Sequence, residues 1–516
     1  MQRLRHLVAV SVSAFVTLSG TAYAIEVGQV SESQPPAISP PTNTIPPGSE
    51  RRTTNPAPAK LIPDPNPLLF PTKPEEVQIV GTQPITLQQA LELSRRNNRS
   101  LQVVQLQLEQ ARAALRQAQA AQSPTLSLSS NLTFQDSAQG EFSNRQQDLR
   151  PQTGLAALLN QDSNRSSTTT SLPFNSSVEL SYNLYTSGRT EALIRASERQ
   201  VRLNELEVER QAEQLRLDTT NDYYALQEAD EQVRIARAAV NNAQQSLRDA
   251  QALERAGVGT RFDVLRAQVQ LANANQDLTR AEAQQVISRR QLSQRLSIPQ
   301  GANVSAADPV QVSGLWNLPL EDSIVLAFKN RAELEQQLVQ REVGEAQRQA
   351  ELAATGPQVA LVANYNILNI LDASPNPGLA DGYAIGARLT WNFYDGGAAQ
   401  ARADQQTLNI RIAEQRFADN RNQIRFQVEQ AYSNLQANFA NIQTTAIALE
   451  QARESLRLAR LRFQAGVGTQ TDVINAETEL TRAEANRLRA ILDYNRALAA
   501  LQRAISNLDT NTLGAS

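Results

Sequence analysis

The sequence predicts a mainly α-helical protein with a membrane β-barrel portion: long antiparallel coiled-coil helices carrying four strands, built by internal duplication. Three observations lead there. Apolar residues recur in alternating steps of three and four over long stretches, which is a heptad seam. Four segments of ~10 residues alternate apolar and polar, the length of a tilted transmembrane strand. Landmark residues also recur at two constant offsets along the 516-residue chain, the mark of a repeat.

Residues 1–24 read as a signal peptide. Arg3 and Arg5 make the start positive, Leu7 to Leu18 is a short apolar core, and Ala22-Tyr23-Ala24 is a small-residue cleavage site. A membrane anchor is the alternative, but the run is shorter than the ~20 residues a spanning helix needs. Residues 25–83 read as a Pro-rich disordered linker. Pro35-Pro36, Pro40-Pro41 and Pro46-Pro47 cannot sit inside helices or central strands.

The first repeat covers residues 84–297 and runs helix, strand, strand, long helix, turn, helix. Leu87, Asn97, Leu101 and Pro124 match Leu320, Asn330, Leu334 and Pro357 of the second repeat, residues 320–506, at one offset. Tyr182-Asn183-Leu184-Tyr185 matches Trp391-Asn392-Phe393-Tyr394 at another, which Ala256-Gly257-Val258-Gly259-Thr260 and Ala465-Gly466-Val467-Gly468-Thr469 share. The offset changes between the strands because the first copy has a longer polar loop, Gln135 to Leu172. The strands alternate through Leu126 and Leu128, through Val178, Leu180, Tyr182 and Leu184, from Val359, Leu361 and Ala363, and through Ile385, Ala387, Leu389 and Trp391. A soluble hairpin is the alternative for each pair.

The helical seam runs Leu226, Ala229, Val233, Ala236, Val240, Ala243, Leu247, Ala250. It returns as Val264, Ala267, Leu271, Ala274, Leu278, Ala281, and again as Val473, Ala476, Leu480, Ala483. Large residues alternate with Ala, so neighbouring helices can approach closely. Arg189 to Glu254 would span ~100 Å, and so would Ala398 to Phe463; Thr86 to Ala121, Phe262 to Ser297 and Leu320 to Ala354 would each span ~52 Å. Two short helices end to end equal one long one. The short ones must therefore meet midway, at a connection in residues 298–319, with strands at one end and glycine turns at the other. Residues 507–516 are a C-terminal tail. Four strands cannot close a barrel, and an open edge cannot face lipid, so other copies must complete the sheet.

Composition narrows function. There is no cysteine, and the only histidine and methionine, His6 and Met1, leave with the signal peptide. His-based metal sites, Ser-His-Asp triads and Cys-His pairs are excluded from the mature chain; carboxylate-only chemistry remains open. No pocket-forming constellation stands out, so no enzyme and no cofactor is expected. Formal charge is −3, and about −5 without Arg3 and Arg5, without the clustered basic footprint of a nucleic-acid binder.

Two motifs resemble the TolC family of outer-membrane efflux proteins. One is the strand-to-helix corner Trp391-Asn392-Phe393-Tyr394-Asp395-Gly396-Gly397, echoed by Tyr182 to Gly188. The other is the Gly-Val-Gly-Thr-x-x-Asp-Val turn at Gly257 to Val264 and Gly466 to Val473. The resemblance covers roughly Pro84 to Ser506. It implies a homotrimer whose twelve-stranded barrel sits in outer-membrane lipid, with a helical tunnel crossing the periplasm. It implies docking to a periplasmic adaptor and through it to an inner-membrane efflux pump or ABC secretion transporter. Small toxic compounds, secreted proteins or both would pass through passively. A structural coiled-coil protein of the cell envelope is the competing reading; it leaves the strands unexplained.

Site residues follow. Gly257, Val258, Gly259, Thr260, Gly466, Val467, Gly468 and Thr469 would form the adaptor-docking tips, or simply reverse the helices. Asp263 and Asp472 would line the tunnel mouth as carboxylate rings, or cap their helices, or both. Some family members carry a second acid three residues on, where this chain has Arg266 and Asn475. Tyr182, Tyr185, Trp391, Phe393 and Tyr394 would lie at the membrane interface, or pack strand against helix.

Overall fold

The structure, a computed structural model, describes residues 61–506 except 62, 64, 65, 67, 80, 373–377 and most of 137–169. The expected signal peptide, the linker before residue 61, the tail at 507–516 and most of the long polar loop lie outside the described residues.

In chain order the first repeat contains β1 (Gly81–Ile85), α1 (Leu87–Asn97), α2 (Arg99–Ala120), β2 (Thr125–Leu132), β3 (Gln135–Asp136), β4 (Thr170–Ser171), β5 (Pro173–Tyr185), α3 (Arg189–Arg255) and α4 (Arg261–Arg295). After β6 (Ala302–Ala306) the second repeat follows: α5 (Leu320–Asn330), α6 (Ala332–Leu352), β7 (Gln358–Ile370), β8 (Ala380–Thr390), α7 (Ala398–Gln464) and α8 (Gln470–Ile505).

The heptad seam is the helical core. Val233 and Ala236 of α3 pack with Ala281 and Leu278 of α4, and Val240 and Ala243 pack with Ala274 and Leu271. Large side chains of one helix meet small ones of the other. Near the turns the two repeats merge. Ala250, Val264 and Ala267 join Leu456, Phe463, Val473 and Ala476 in one cluster. Side by side, α2 and α4 pack on α3, α3 packs on α6 and α8, and those pack on α7. No helix among the described residues is long and apolar enough to cross a membrane.

The four membrane-length strands form one antiparallel sheet in the order β2-β5-β7-β8. The repeats join at its centre, where Pro173↔Ile370 through Tyr182↔Leu361 are paired. β2 and β8 are left as edges, and Leu126, Leu128, Ile385 and Leu389 on them are exposed. β3 and β4 make a small ladder at the base of the long loop.

Three expectations need correction. First, the short helices at Thr86 to Ala121 and Leu320 to Ala354 are each broken, at Asn98 and Arg331, whose backbones are extended. Both breaks seal a returning helix. The Asn98 amide donates to Arg295 O at 3.0 Å, and Arg331 Nη1 donates to Ala504 O at 3.2 Å. Free carbonyls at helix C-termini need such partners. Second, the Pro-rich segment does not stay free up to residue 83. Gly81 to Ile85 pairs in parallel with β6, and Leu61 is fully buried beside Ile85, Leu93 and Leu292. The β6 residues and Leu292 lie more than 200 residues away in the chain, so local composition carried no trace of them; Pro84 is tolerated because β1 is paired on one side. Third, Trp391 lies beyond its strand. The ladder ends at Gln358↔Thr390, since Pro357 has no N–H to extend it.

Candidate gate and docking tips

At each tip the chain reverses in five residues. The Val258 and Gly259 N–H groups both donate to Leu253 O, and those of Val467 and Gly468 both donate to Arg462 O. The two glycines of each turn have different reasons to be there. Gly257 and Gly466 have φ of 72° and 73°, which side-chain-bearing residues rarely adopt. Gly259 and Gly468 are close-packed instead: a Cβ would lie 2.9 Å from Glu254 N in one and from Phe463 N in the other. Between them Val258 and Val467 point outward, 73% and 71% exposed. The turns thus present one apolar side chain each to the outside.

Thr260 and Thr469 then start the returning helices. Each hydroxyl accepts from the N–H of Asp263 or Asp472 at 3.2 Å, and each aspartate accepts the threonine's own N–H, at 3.2 and 3.0 Å. These are reciprocal capping boxes. The Thr469 hydroxyl and N–H hold the Asp472 carboxyl below the ordinary carboxylate range. The capping role is therefore met in both copies, and it leaves Asp472 exposed and charged beside the tip.

Arg266 joins the two tips. Its guanidinium donates to the Thr471 hydroxyl in the other repeat and sits 5.6 Å from the Phe262 ring centroid. Asn475 is exposed on α8. Deeper in, a node that the sequence reading missed ties three helices together. Glu477 of α8 is buried, and its Oε1 accepts from Ser246 Oγ of α3 at 2.6 Å and from Arg460 Nη2 of α7 at 3.0 Å. Arg460 Nη2 also reaches Asn242 Oδ1 of α3 at 3.0 Å. The available signal was an acid directly after seam residue Ala476.

At the other end, the corners into α3 and α7 use left-handed residues, Ser187 and Gly188 in one copy, Gly396 and Gly397 in the other. Asp395 accepts from the N–H groups of Gly397 and Ala399 at 3.0 and 2.6 Å. The Trp391 indole donates to Thr355 O at 3.1 Å and its ring lies 4.4 Å from Phe393. Tyr185, Phe393 and Tyr394 are exposed around the base of the sheet, and Tyr182 is half-buried opposite Leu361.

Midway along the helices, the connection is locked by Asp308. Its Oδ2 accepts the Leu87 N–H at 2.7 Å and lies 2.8 Å from the buried Tyr223 hydroxyl. Beside it is a cavity of about 180 Å³ lined by Glu213, Arg216, Tyr224, Ser313 and Arg503. Glu213 is buried and accepts no hydrogen bond among the described residues; burial outweighs the attraction of Arg216 and Arg503 and pushes its pKa up to about 7. Glu333 behaves oppositely. Burial works to raise it, but the two forks of Arg331 at 2.9 Å and Arg503 at 2.9 Å bring its pKa down to about 2.

Residues 90–297 and 323–507 match the family described as outer membrane efflux protein. The chain belongs to that family. Both halves of the match coincide with the two repeats. Among curated proteins, none matches the sequence. Solved structures share the fold. The outer membrane protein VceC from Vibrio cholerae is 18% identical, with 81% of this chain and 95% of that chain covered at a TM-score of 0.64. The Campylobacter jejuni CmeC outer membrane channel is 15% identical over 83% and 88%, at 0.65. The open state of the Neisseria gonorrhoeae MtrE outer membrane channel is 18% identical over 81% and 88%, at 0.62. This outer membrane efflux protein is thus an outer-membrane protein whose helical stave extends into the periplasm, and its fold is that of channels.

Proposed function

We propose that the protein is the passive exit duct of a tripartite efflux or type I secretion system, working as a homotrimer. The observation that carries this is the four-stranded sheet with two unpaired apolar edges, set at one end of helices ~100 Å long. An open edge in lipid leaves backbone groups unsatisfied. Three copies pairing β2 to β8 would give a closed twelve-stranded barrel. The exposed aromatics Tyr185, Phe393 and Tyr394 then meet the lipid interface.

The tips do the rest of the work. Val258 and Val467 are apolar knobs for a periplasmic adaptor, which links the duct to an inner-membrane pump or ABC transporter. Asp263 and Asp472, repeated three times, would put a ring of carboxylates round the mouth. Such a ring favours cations, and its self-repulsion is relieved when the helices splay. Arg266 to Thr471 and the Glu477 node would hold the two repeats of one protomer together in the closed mouth. The cargo is small toxic compounds, secreted proteins or both. Purified protein in planar bilayers should give discrete cation-favouring conductance from trimers; trimers that conduct nothing would refute the duct.

A further inference from the structure

The cavity at Glu213 is walled by both repeats. Residues of α1 and α3 from the first repeat, α8 from the second and Ser313 of the connection all line it, and it measures about 180 Å³. An apolar cavity of ~150 Å³ takes up benzene, so this space admits a body of that size. Leu91, Leu217 and Leu498 give it an apolar side.

Three neutral polar side chains of the wall are already engaged. Thr220 Oγ1 donates to Arg216 O, Ser313 Oγ to Asn495 Oδ1 and Asn495 Nδ2 to Gln311 O, each at 2.8 Å. The charged lining still has capacity. Glu213 is 3% exposed and accepts no hydrogen bond among the described residues. The Arg216 guanidinium forms no hydrogen bond or ion pair among them. The Arg503 Nε–H is buried without an acceptor, while Nη2 of the same fork donates to Glu333. Glu333 has nothing more to give, because Arg331 and Arg503 already share it. Buried donors left unpaired cost free energy that a matching acceptor recovers. Two cations and one acid around a partly apolar space fit an anion with an apolar body.

We propose that this cavity binds a small monocarboxylate, its charged end against Arg216 and the Arg503 Nε–H and its apolar body against Leu91, Leu217 and Leu498. Two carboxyl groups sharing one site cannot both ionise, so the ligand and Glu213 share a proton. Burial already pushes the Glu213 pKa up to about 7, against the pull of Arg216 on α3 and Arg503 on α8; Glu209 on α3 and Glu333 on α6 add to the push. The lining residues of α1 and of the connection carry no charge. Below pH 7 the proton is in place and the wall presents two cations and no anion. Above it, binding must take up a proton, and affinity falls by up to about tenfold per pH unit. The site lies within one chain and does not depend on closure of a trimer.

The test is calorimetric titration of benzoate into the full-length protein in detergent, with protein-free detergent as the blank. An ordinary carboxyl titrates near ~4, so benzoate stays ionised from pH 5.5 to pH 8.5 and any change of affinity belongs to the protein. One benzoate should bind per chain at pH 5.5, and binding at pH 8.5 should be weaker by at least about tenfold. Acetate lacks the apolar body and benzyl alcohol lacks the charge; both should bind far more weakly. Glu213→Gln keeps a donor at every pH, so it should retain binding and lose the pH dependence. Arg216→Gln should weaken benzoate, and Ala499→Phe should fill the cavity and abolish binding, with circular dichroism confirming that each variant is folded. If Ala499→Phe does not fold, Arg216→Gln decides alone. No saturable binding at pH 5.5, binding of benzyl alcohol as tight as benzoate, or affinity unchanged in the folded variants overturns the site. A pH dependence that persists in Glu213→Gln overturns the shared proton.

Discussion

Glu213 gives the sharpest quantitative test of the midpoint. Its carboxyl is buried against the cavity, and its pKa is pushed up to about 7, against an ordinary 4.5. Between those values the folded chain holds a proton that the unfolded chain has released. Stability therefore falls as pH rises through the window, and the loss is complete above pH 7. At ~1.36 kcal/mol per pH unit, the full cost is about 3 kcal/mol per protomer. Glu213→Gln keeps the shape and removes the titration. At pH 8 the variant should be more stable than the natural protein by up to that amount, and near pH 4.5 the two should converge. The assay is chemical denaturation followed by circular dichroism of the helices at pH 5, 6, 7 and 8, in the same detergent. If both proteins show the same pH dependence, Glu213 does not carry a displaced proton, and the burial argument for it is wrong.

Three further outcomes are expected. Asp472→Ala should lower the preference for cations in planar bilayers and weaken blockade by multivalent cations; unchanged values would leave Asp472 as a helix cap alone. Gly468→Ala should destabilise the tip by about 1–3 kcal/mol, since its Cβ meets Phe463 N at 2.9 Å. Gly81→Ala, with nothing within 4 Å, should change little in the same melt. Arg460→Ala strands the buried Glu477 carboxylate and should cost about 3–5 kcal/mol in denaturation, with more frequent opening; adding Glu477→Gln should restore most of the stability while opening stays frequent.

Much of this was legible because helices and turns are local. Leu226 to Ala250 repeats in heptads, and that period alone says which face is covered. Gly257, Gly259, Gly466 and Gly468 mark reversals by geometry that other residues resist. Alternation identified the strands, and helix lengths placed the midpoint where α2 and α4, and α6 and α8, abut. The capping alternative for Asp263 and Asp472 was also readable, because a carboxylate three residues after threonine is a local pattern. Asn98 and Arg331 were harder. A single capping residue inside a good helical period breaks the helix only when the carbonyls of a distant one, ending at Arg295 or Ala504, are there to be sealed.

What sequence by itself determined is the duplication, the seams, the two kinds of turn and the presence of four membrane-length strands. Each follows from side-chain period or backbone preference within a few residues. Tertiary structure decided the rest. It placed β5 beside β7, so that the repeats join at the sheet centre and leave β2 and β8 as edges. It brought Gly81 to Ile85 onto β6 and Leu61 into the core. It put Glu477 on Ser246 and Arg460, Glu333 between two arginines, and Glu213 beside a cavity with no hydrogen-bond partner among the described residues. Strand order, buried charge pairing and proton affinity depend on groups far apart in the chain, and only the packed fold brings those groups into contact.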